Sequence, residues 1–228
     1  MGIQVSSAAS KSFLIFGHRG SPKRFPENTV PSFEEALRCG ADGFETDLRL
    51  LSDSTAVLYH DDEFEEDELE SLSAVALAER GAMVQRLDDL AAFAERTTMI
   101  LEVKRRKWEE TLLAHVGAWP NVVIASFDHL TIAELASRKT GIPLGITCFG
   151  YMLDIGDYAA SVGASWCFPG YHYVDAEMVE ALHARDIKVV PWTANRERDW
   201  KRLYEIGCDG VITDYPAEAV AWRAALSS

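Results

Sequence analysis

Apolar and polar positions along this chain repeat in one order. A short run rich in β-branched and aromatic residues comes first, then a longer stretch with apolar residues three or four apart. The short runs fall at 13–17 (FLIFG), 43–48, 98–103 (TMILEV), 121–125 (NVVIA), 143–148 (PLGITC), 164–168 (ASWCF), 187–192 (IKVVPW) and 209–213 (DGVIT). The amphipathic stretches fall at 30–39, roughly 87–96, 108–117, 128–139, 151–162, 175–185, 196–206 and 216–226. These patterns predict strands and helices in strict alternation, with Asp175 and Asn195 placed as helix N-caps. Eight such units in series predict an α/β fold, a (β/α)8 barrel of the TIM type, somewhat shorter than the usual ~250 residues. An open doubly wound sheet is the alternative. No G-x-G-x-x-G follows the first strand, so its dinucleotide-binding form lacks its main support.

Two stretches share G-x-D-G-x-x-T-D: GADGFETD at 40–47 and GCDGVITD at 207–214. Each follows an amphipathic stretch, so Gly40 and Gly207 suit left-handed helix C-caps before a strand. No linker or low-complexity segment divides the chain, which predicts one domain over 1–228. Within it, 61–86 reads as a short insertion or lid. Eight of the ten residues at 61–70 are acidic, which predicts a solvated loop or short helix over the barrel mouth. The D-x-D-x-D-G spacing of a calcium loop is absent there.

The strand 43–50 (GFETDLRL) carries Glu45 and Asp47 two residues apart, hence on one face. In such a barrel, chemistry gathers at the C-terminal ends of strands. Those ends supply His18 and Arg19 after the first strand, and His60 after an extension of the second. Glu102 and Lys104 come from the third, and Trp192 from the seventh. Glu45, Asp47 and Glu102 can then converge, and three hard carboxylates suit Mg²⁺ or Ca²⁺ rather than zinc. The competing reading pairs each acid with a base such as Lys104 or Arg49, at a desolvation cost that such pairs barely recover. His18 and His60 form a natural proton-transfer pair. Arg19 and Lys104 add the positive charge a phosphate needs. Asn28 or Thr29 reads as the cap of the first helix, Asp214 as a cap or a supporting acceptor, and Trp192 as packing or as a substrate wall.

Composition narrows the class of partner. The chain is 48% hydrophobic and 25% charged, with a formal net charge of −14. Such a surface repels nucleic-acid phosphates and anionic lipid. No run approaches a membrane span. Cys39, Cys148, Cys167 and Cys208 are widely spaced, which predicts reduced thiols in a cytoplasmic protein. The N-terminus lacks a secretory h-region, although MGIQVS fits the short myristoylation pattern. Nothing in the pattern indicates an oligomeric state.

The motifs HRG, PENT, GADGFETDLRL, HD at 60–61, LEVK at 101–104, PWTAN and GCDGVITDYP run in order from about residue 16 to 216. With them the chain resembles the glycerophosphodiester phosphodiesterase family. That resemblance implies a (β/α)8 barrel, a divalent cation (Mg²⁺ or Ca²⁺), and hydrolysis of small glycerophosphodiesters to glycerol 3-phosphate and an alcohol. It places metal ligands on Glu45, Asp47 and Glu102, and acid/base histidines on His18 and His60. Phosphate contacts fall on Arg19 and Lys104, and a substrate-wall tryptophan on Trp192. Two departures stand out. LSDSTAV replaces the D-G turn often found before the second histidine, and the segment after HD is short and acidic. An acidic lid would favour a cationic head group such as choline or ethanolamine. Three alternatives share the ingredients. A lipid-directed phosphodiesterase of the lysophospholipase D or sphingomyelinase D kind needs an apolar or basic rim that an acidic chain does not advertise. An aldolase or lyase would use Lys104 as a Schiff base. A non-catalytic phosphate-binding barrel would bind without turnover. The metal-site reading makes one geometric demand: Glu45 and Asp47 face the barrel mouth, while Phe44, Thr46 and Leu48 face the helices.

Overall fold

Parallel pairing arranges the strands in a ring, with helices outside. The computed structural model describes residues 13–226, so the N-terminal MGIQVS pattern lies outside the described residues. The first part of the chain forms β1 (Leu14–Gly17), α1 (Val30–Arg38), β2 (Gly43–Leu50), β3 (Ala56–Leu58), β4 (Glu63–Phe64), β5 (Asp67–Glu68), α2 (Ala74–Glu79) and β6 (Gln85–Arg86). The middle forms β7 (Thr98–Val103), α3 (Glu109–Val116), β8 (Val122–Ser126), α4 (His129–Ser137), β9 (Leu144–Cys148) and α5 (Ile155–Ser161). The last part forms β10 (Trp166–Pro169), α6 (Ala176–His183), β11 (Lys188–Val189), α7 (Glu197–Glu205), β12 (Gly210–Thr213) and α8 (Pro216–Ala225).

The sheet runs β11-β10-β9-β8-β7-β2-β1-β12, parallel throughout, with β3 and β6 added antiparallel beside β2. No regular ladder joins β11 to β12. Three backbone hydrogen bonds nevertheless cross that seam: Asp209 N to Val189 O at 2.9 Å, Ile212 N to Pro191 O at 2.9 Å, and Ala194 N to Ile212 O at 3.1 Å. The predicted barrel is thus the observed one.

Two apolar layers follow from the period-two alternation of the strands. Inside the ring, Phe16, Ile100, Val123, Ala125, Trp166, Phe168, Val190 and Ile212 form a small buried plug. Outside it, the larger core fills the space between sheet and helices. Phe44 on β2 stacks on Phe33 of α1 at 4.2 Å between ring centroids, and Phe93 meets Phe44 edge-on at 5.2 Å. Phe44 and Leu48 therefore point at the helices, so Glu45 and Asp47 point into the ring. Gly40 and Gly207 end their helices at φ 90° and 91°, as their C-cap positions predict.

Several sequence expectations change. Residues 87–96 are not an α-helix. Leu87–Phe93 is 3₁₀, and its buried residues Leu87, Leu90 and Phe93 lie three apart, a spacing that lines up on one face only at three residues per turn. AVLYHDD is not an extension of β2. It begins as the separate antiparallel strand β3, which returns to the mouth, where Tyr59 N donates to Asp47 O at 3.1 Å. The regular part of the seventh strand is only Lys188–Val189, and Trp192 joins through an isolated bridge to Gly170. Asp175 and Thr29 do cap α6 and α1, but α7 starts after Arg196 and Asn195 is occupied elsewhere.

The Phe33–Phe44–Phe93 cluster pins β2 to the helical layer. Phe44→Ala should cost about 3–5 kcal/mol, read as a lowered urea midpoint with the urea m-value unchanged.

Candidate active site

The sequence Gly17-His18-Arg19-Gly20 turns sharply off the end of β1. Arg19 takes a left-handed backbone conformation (φ 53°), and Gly20 (φ 88°) packs so close to Ser32 that an added Cβ would lie 2.5 Å from its hydroxyl. This turn brings the Arg19 backbone N–H over the mouth, where it donates to Glu45 Oε2 at 3.1 Å. His18 Nδ1 sits 2.7 Å from Asp214 Oδ1. Asp214 is buried enough to raise its carboxyl. The hydrogen bond and charge of His18, with Lys23 and Asn195, outweigh burial and hold it down at about 2. A carboxylate ionised at neutral pH accepts, so His18 carries its proton on Nδ1 and presents Nε2 for chemistry.

The acids meet because of register. Asp47 on β2 lies directly across from Glu102 on β7 in the parallel ladder, and Glu45 lies two residues below Asp47 on the same face. Candidate ligand oxygens of Glu45, Asp47 and Glu102 all lie within 4.8 Å of one another, and all three residues are buried. Lys104 Nζ pairs with Asp47 Oδ1 at 2.7 Å and with Glu102. Arg19 Nε lies 3.2 Å from Asp47 Oδ2, but it is misaligned and has no hydrogen-bond acceptor. Burial, then the charges of Asp47 and Glu102, push the Glu45 carboxyl well above its usual range. Burial also raises Asp47, but Lys104 and Arg19 outweigh it and leave its carboxyl low. Glu102 stays raised because burial exceeds the help from Lys104. Lys104 is raised despite burial, through Glu102 and Asp47.

Pairing with a base is therefore real at Asp47 and Glu102, yet incomplete. Glu45 has no ion-pair partner among the described residues, and Arg49, two residues beyond Asp47 on the same strand, pairs with Asp62 and Glu70 instead. With all three ionised, the carboxylates would outnumber Lys104 and Arg19, and Arg19 is shared with Glu27 at 2.9 Å. An all-oxygen donor set of this kind fits a hard divalent cation. It is the one such grouping among the described residues.

His60 arrives on the return strand, with Nδ1 2.7 Å from Asp61 Oδ1. Its loop is held by Arg49, which is buried. Arg49 donates to the His60 carbonyl at 2.9 Å and to Asp62 at 2.6 Å, and it pairs with Glu70 at 3.1 Å. Three arginines from outside 61–70, Arg49 among them, contact five of its eight acids and leave the segment acidic. Arg105 approaches Asp62, Glu68 and Glu70, and Arg80 approaches Glu65 and Asp67. The segment is a small β4–β5 hairpin followed by a 3₁₀ turn at Leu69–Ser71, tied to the barrel by these arginines.

All eight sequence-selected residues border one cavity of about 230 Å³: His18, Arg19, Glu45, Asp47, His60, Glu102, Lys104 and Trp192. Its remaining walls are mainly apolar, from Ile100, Ala125, Phe127, Phe168 and Ile212, with Thr147 among them. Trp192 is fixed by its indole N–H, which donates to Phe168 O at 3.0 Å.

A family comparison fits this geometry. The model of the glycerophosphoryl diester phosphodiesterase family matches residues 18–92 and 93–218. The chain belongs to this family. The Bacillus subtilis protein YqiK is 30% identical over 239 residues, spanning 91% of this chain and 97% of its own. A glycerophosphodiester phosphodiesterase of Caldanaerobacter subterraneus is 26% identical over 229 residues, spanning 89% and 94%. Among solved structures, the Thermotoga maritima glycerophosphodiester phosphodiesterase matches with a TM-score of 0.80 at 22% identity, covering 92% of this chain and 98% of that one. An Oleispira antarctica phosphodiesterase, solved in complex with its product sn-glycerol-3-phosphate, matches with a TM-score of 0.81 at 20% identity, covering 94% and 97%. The likeness to these family structures is that of the (β/α)8 barrel. Among the described residues no helix is long and apolar enough to cross a membrane.

Reading by motif alone passes over the residues that hold the site in place. Asn28 donates to Asp47 Oδ2 at 2.9 Å, while its Oδ1 accepts from Thr46 Oγ1 at 2.7 Å and from Asp47 N at 3.3 Å. Asn195 does the same for the second repeat. It donates to Asp214 Oδ2 at 2.9 Å and accepts from Thr213 Oγ1 at 3.1 Å and Asp214 N at 2.9 Å. Each asparagine stands 19 residues before its aspartate. That shared spacing upstream of T-D is the signal in the sequence. Asp214 is thus a supporting acceptor and not a helix cap, since α8 begins after Tyr215.

Asp214 is held below its ordinary value, so its stabilisation is present above about pH 4 and fades as pH falls toward 2. Asp214→Asn should therefore lower stability at pH 7 by roughly 2 kcal/mol, and the gap to wild type should narrow steadily below pH 4. Urea unfolding across that range measures it.

Proposed function

We propose that this protein is a metal-dependent phosphodiesterase that hydrolyses small glycerophosphodiesters to glycerol 3-phosphate and an alcohol. The observation that carries this reading is the buried Glu45–Asp47–Glu102 cluster, bordered by two histidines and two cations in one cavity. Family membership and the glycerol 3-phosphate in the Oleispira antarctica structure support the substrate class.

Glu45, Asp47 and Glu102 would hold the divalent cation, Mg²⁺ or Ca²⁺, which when bound supplies charge neutralisation at a phosphoryl oxygen. The Arg19 guanidinium, with Nε still lacking an acceptor, and the Lys104 ammonium orient the phosphate. His18 and His60 divide the two proton transfers. One takes the proton of the attacking oxygen, and the other protonates the departing alkoxide, so the P–O bond to the alcohol breaks as the new P–O bond forms. Each has a carboxylate on Nδ1, which leaves Nε2 to act. Apolar walls from Phe127, Phe168 and Trp192 keep bulk water off the reacting phosphorus.

A Schiff-base role for Lys104 is disfavoured. That chemistry needs a neutral amine, and two carboxylates hold this one protonated. The same reading takes the chain as one barrel domain with 61–86 as a short insertion beside the mouth. Its four cysteines form no disulfide among the described residues, which supports a reducing compartment such as the cytoplasm.

His60→Ala should lower kcat by about 10²–10⁴ at saturating metal. A kcat within twofold of wild type would remove His60 from the mechanism. EDTA should abolish release of glycerol 3-phosphate, and Mg²⁺ or Ca²⁺ should restore it. Glu45→Gln gives a readout independent of turnover. Burial and like charge raise the Glu45 carboxyl, so stability is lost as pH rises above its unfolded value toward the raised folded one. The metal-free variant should therefore melt higher than metal-free wild type at pH 8, while losing the rise in Tm that added metal gives wild type.

A further inference from the structure

The mouth of the barrel is chemically divided. After β2 and β7 the loops are charged, with the acidic 61–70 segment on one and Lys104, Arg105, Arg106 and Lys107 on the other. After β9, β10 and β11, three consecutive strands of the ring, residues 149–153, 168–174 and 190–194 contain no Asp, Glu, Lys or Arg. With Phe127 from the loop after β8, these loops carry a continuous row of rings. Phe127 meets Trp192 edge-on at 5.4 Å, Trp192 lies 6.0 Å from Phe149, and Phe149 meets Tyr173 edge-on at 5.1 Å. The inner two rings line the cavity. The outer two are open to solvent, Phe149 at 66% and Tyr173 at 37%, with Tyr151 and Leu153 also exposed on the Phe149 loop. Scattered exposed apolar residues need no explanation. A contiguous apolar row leading out of a reaction cavity marks what the cavity's ligand carries with it. An apolar rim is therefore present in spite of the acidic composition.

We infer that the diester taken by this site bears a single long hydrocarbon chain, which leaves the cavity over Phe127 and Trp192 and lies on Phe149 and Tyr173. The inference deepens the phosphodiesterase reading and rests on it. Three observations select this occupant. The rim is continuous with the apolar wall beside the phosphate-binding groups, so its partner is covalently part of the substrate. It is a row of rings rather than a broad face, which suits one chain. It lacks Lys and Arg in a chain of net charge −14, which argues against docking on an anionic lipid surface. Thr147 adds a polar stop at the inner end. It lines the same cavity, it is 3% exposed, and its hydroxyl has no hydrogen-bond partner. That hydroxyl suits an ester or hydroxyl oxygen where chain and head group join.

The test uses the full chain with Mg²⁺ or Ca²⁺ and substrates kept below their micellar concentrations. One series is glycerophosphocholine and its 1-acyl derivatives with chains of six to twelve carbons, read by choline release. A second places the chain on the other alcohol, as glycerophospho-alkanols, read by glycerol 3-phosphate release. Each methylene buried is worth about fourfold, so kcat/KM should rise at least about tenfold with chain length in one series, and that series identifies which alcohol carries the chain. The double variant Phe149→Ser/Tyr173→Ser should lose most of the rise and keep kcat/KM for the chainless diester within about twofold. A flat dependence in both series, or a rise that survives in the variant, overturns the inference while chainless turnover leaves the phosphodiesterase reading standing. A flat dependence accompanied by a smaller solution mass for the variant would overturn it in favour of contact between copies of the chain. Absence of turnover on every diester overturns both.

Discussion

Everything at the mouth of this barrel answers to one constraint: three carboxylates are buried within 4.8 Å of one another. Two protein cations, Lys104 and Arg19, offset much of the repulsion and leave Glu45 the least compensated, with its carboxyl well above the usual range. A fold selected for stability alone would replace such a cluster with apolar residues. Its persistence in the middle of a core strand is paid for by the Phe33–Phe44–Phe93 packing on the opposite face of that strand. The strand is thereby prevented from turning its acids outward, because a one-residue slip would bury charge among aromatic rings.

Around that cluster, position comes from rigid parts. The parallel register of β2 and β7 sets Asp47 against Glu102. A left-handed Arg19 brings a backbone N–H to Glu45. Arg49 ties the His60 loop to the barrel through a carbonyl and two acids. Chemistry on loops thus inherits precision from the strands beneath them.

The barrel and the chemical groups were legible in the sequence for a local reason. Period-two alternation places Glu45 with Asp47 and Glu102 with Lys104, and strand ends collect His18, His60 and Trp192 around one cavity. What stayed hidden depends on partners far along the chain. Asn195 looks like a helix cap until its tertiary partner Asp214 is seen. The acidic run at 61–70 looks like a free charged lid until Arg49, Arg80 and Arg105 are found against it. The aromatic row is invisible to composition, because Phe127, Phe149, Tyr173 and Trp192 come from four separate loops. Leu87, Leu90 and Phe93 show the reverse limit, since their spacing fits two helix types and the chain took the tighter one.

The paired asparagine clamps divide each aspartate into two halves. Asn28 and Asn195 both occupy Oδ2 of the acid they hold, and Oδ1 is left to the working partner: Lys104 at Asp47, His18 at Asp214. The clamp is therefore an interchangeable part. It fixes a carboxylate in space without dictating its task, and the neighbour placed before the remaining oxygen decides whether that acid gathers positive charge or steers an imidazole.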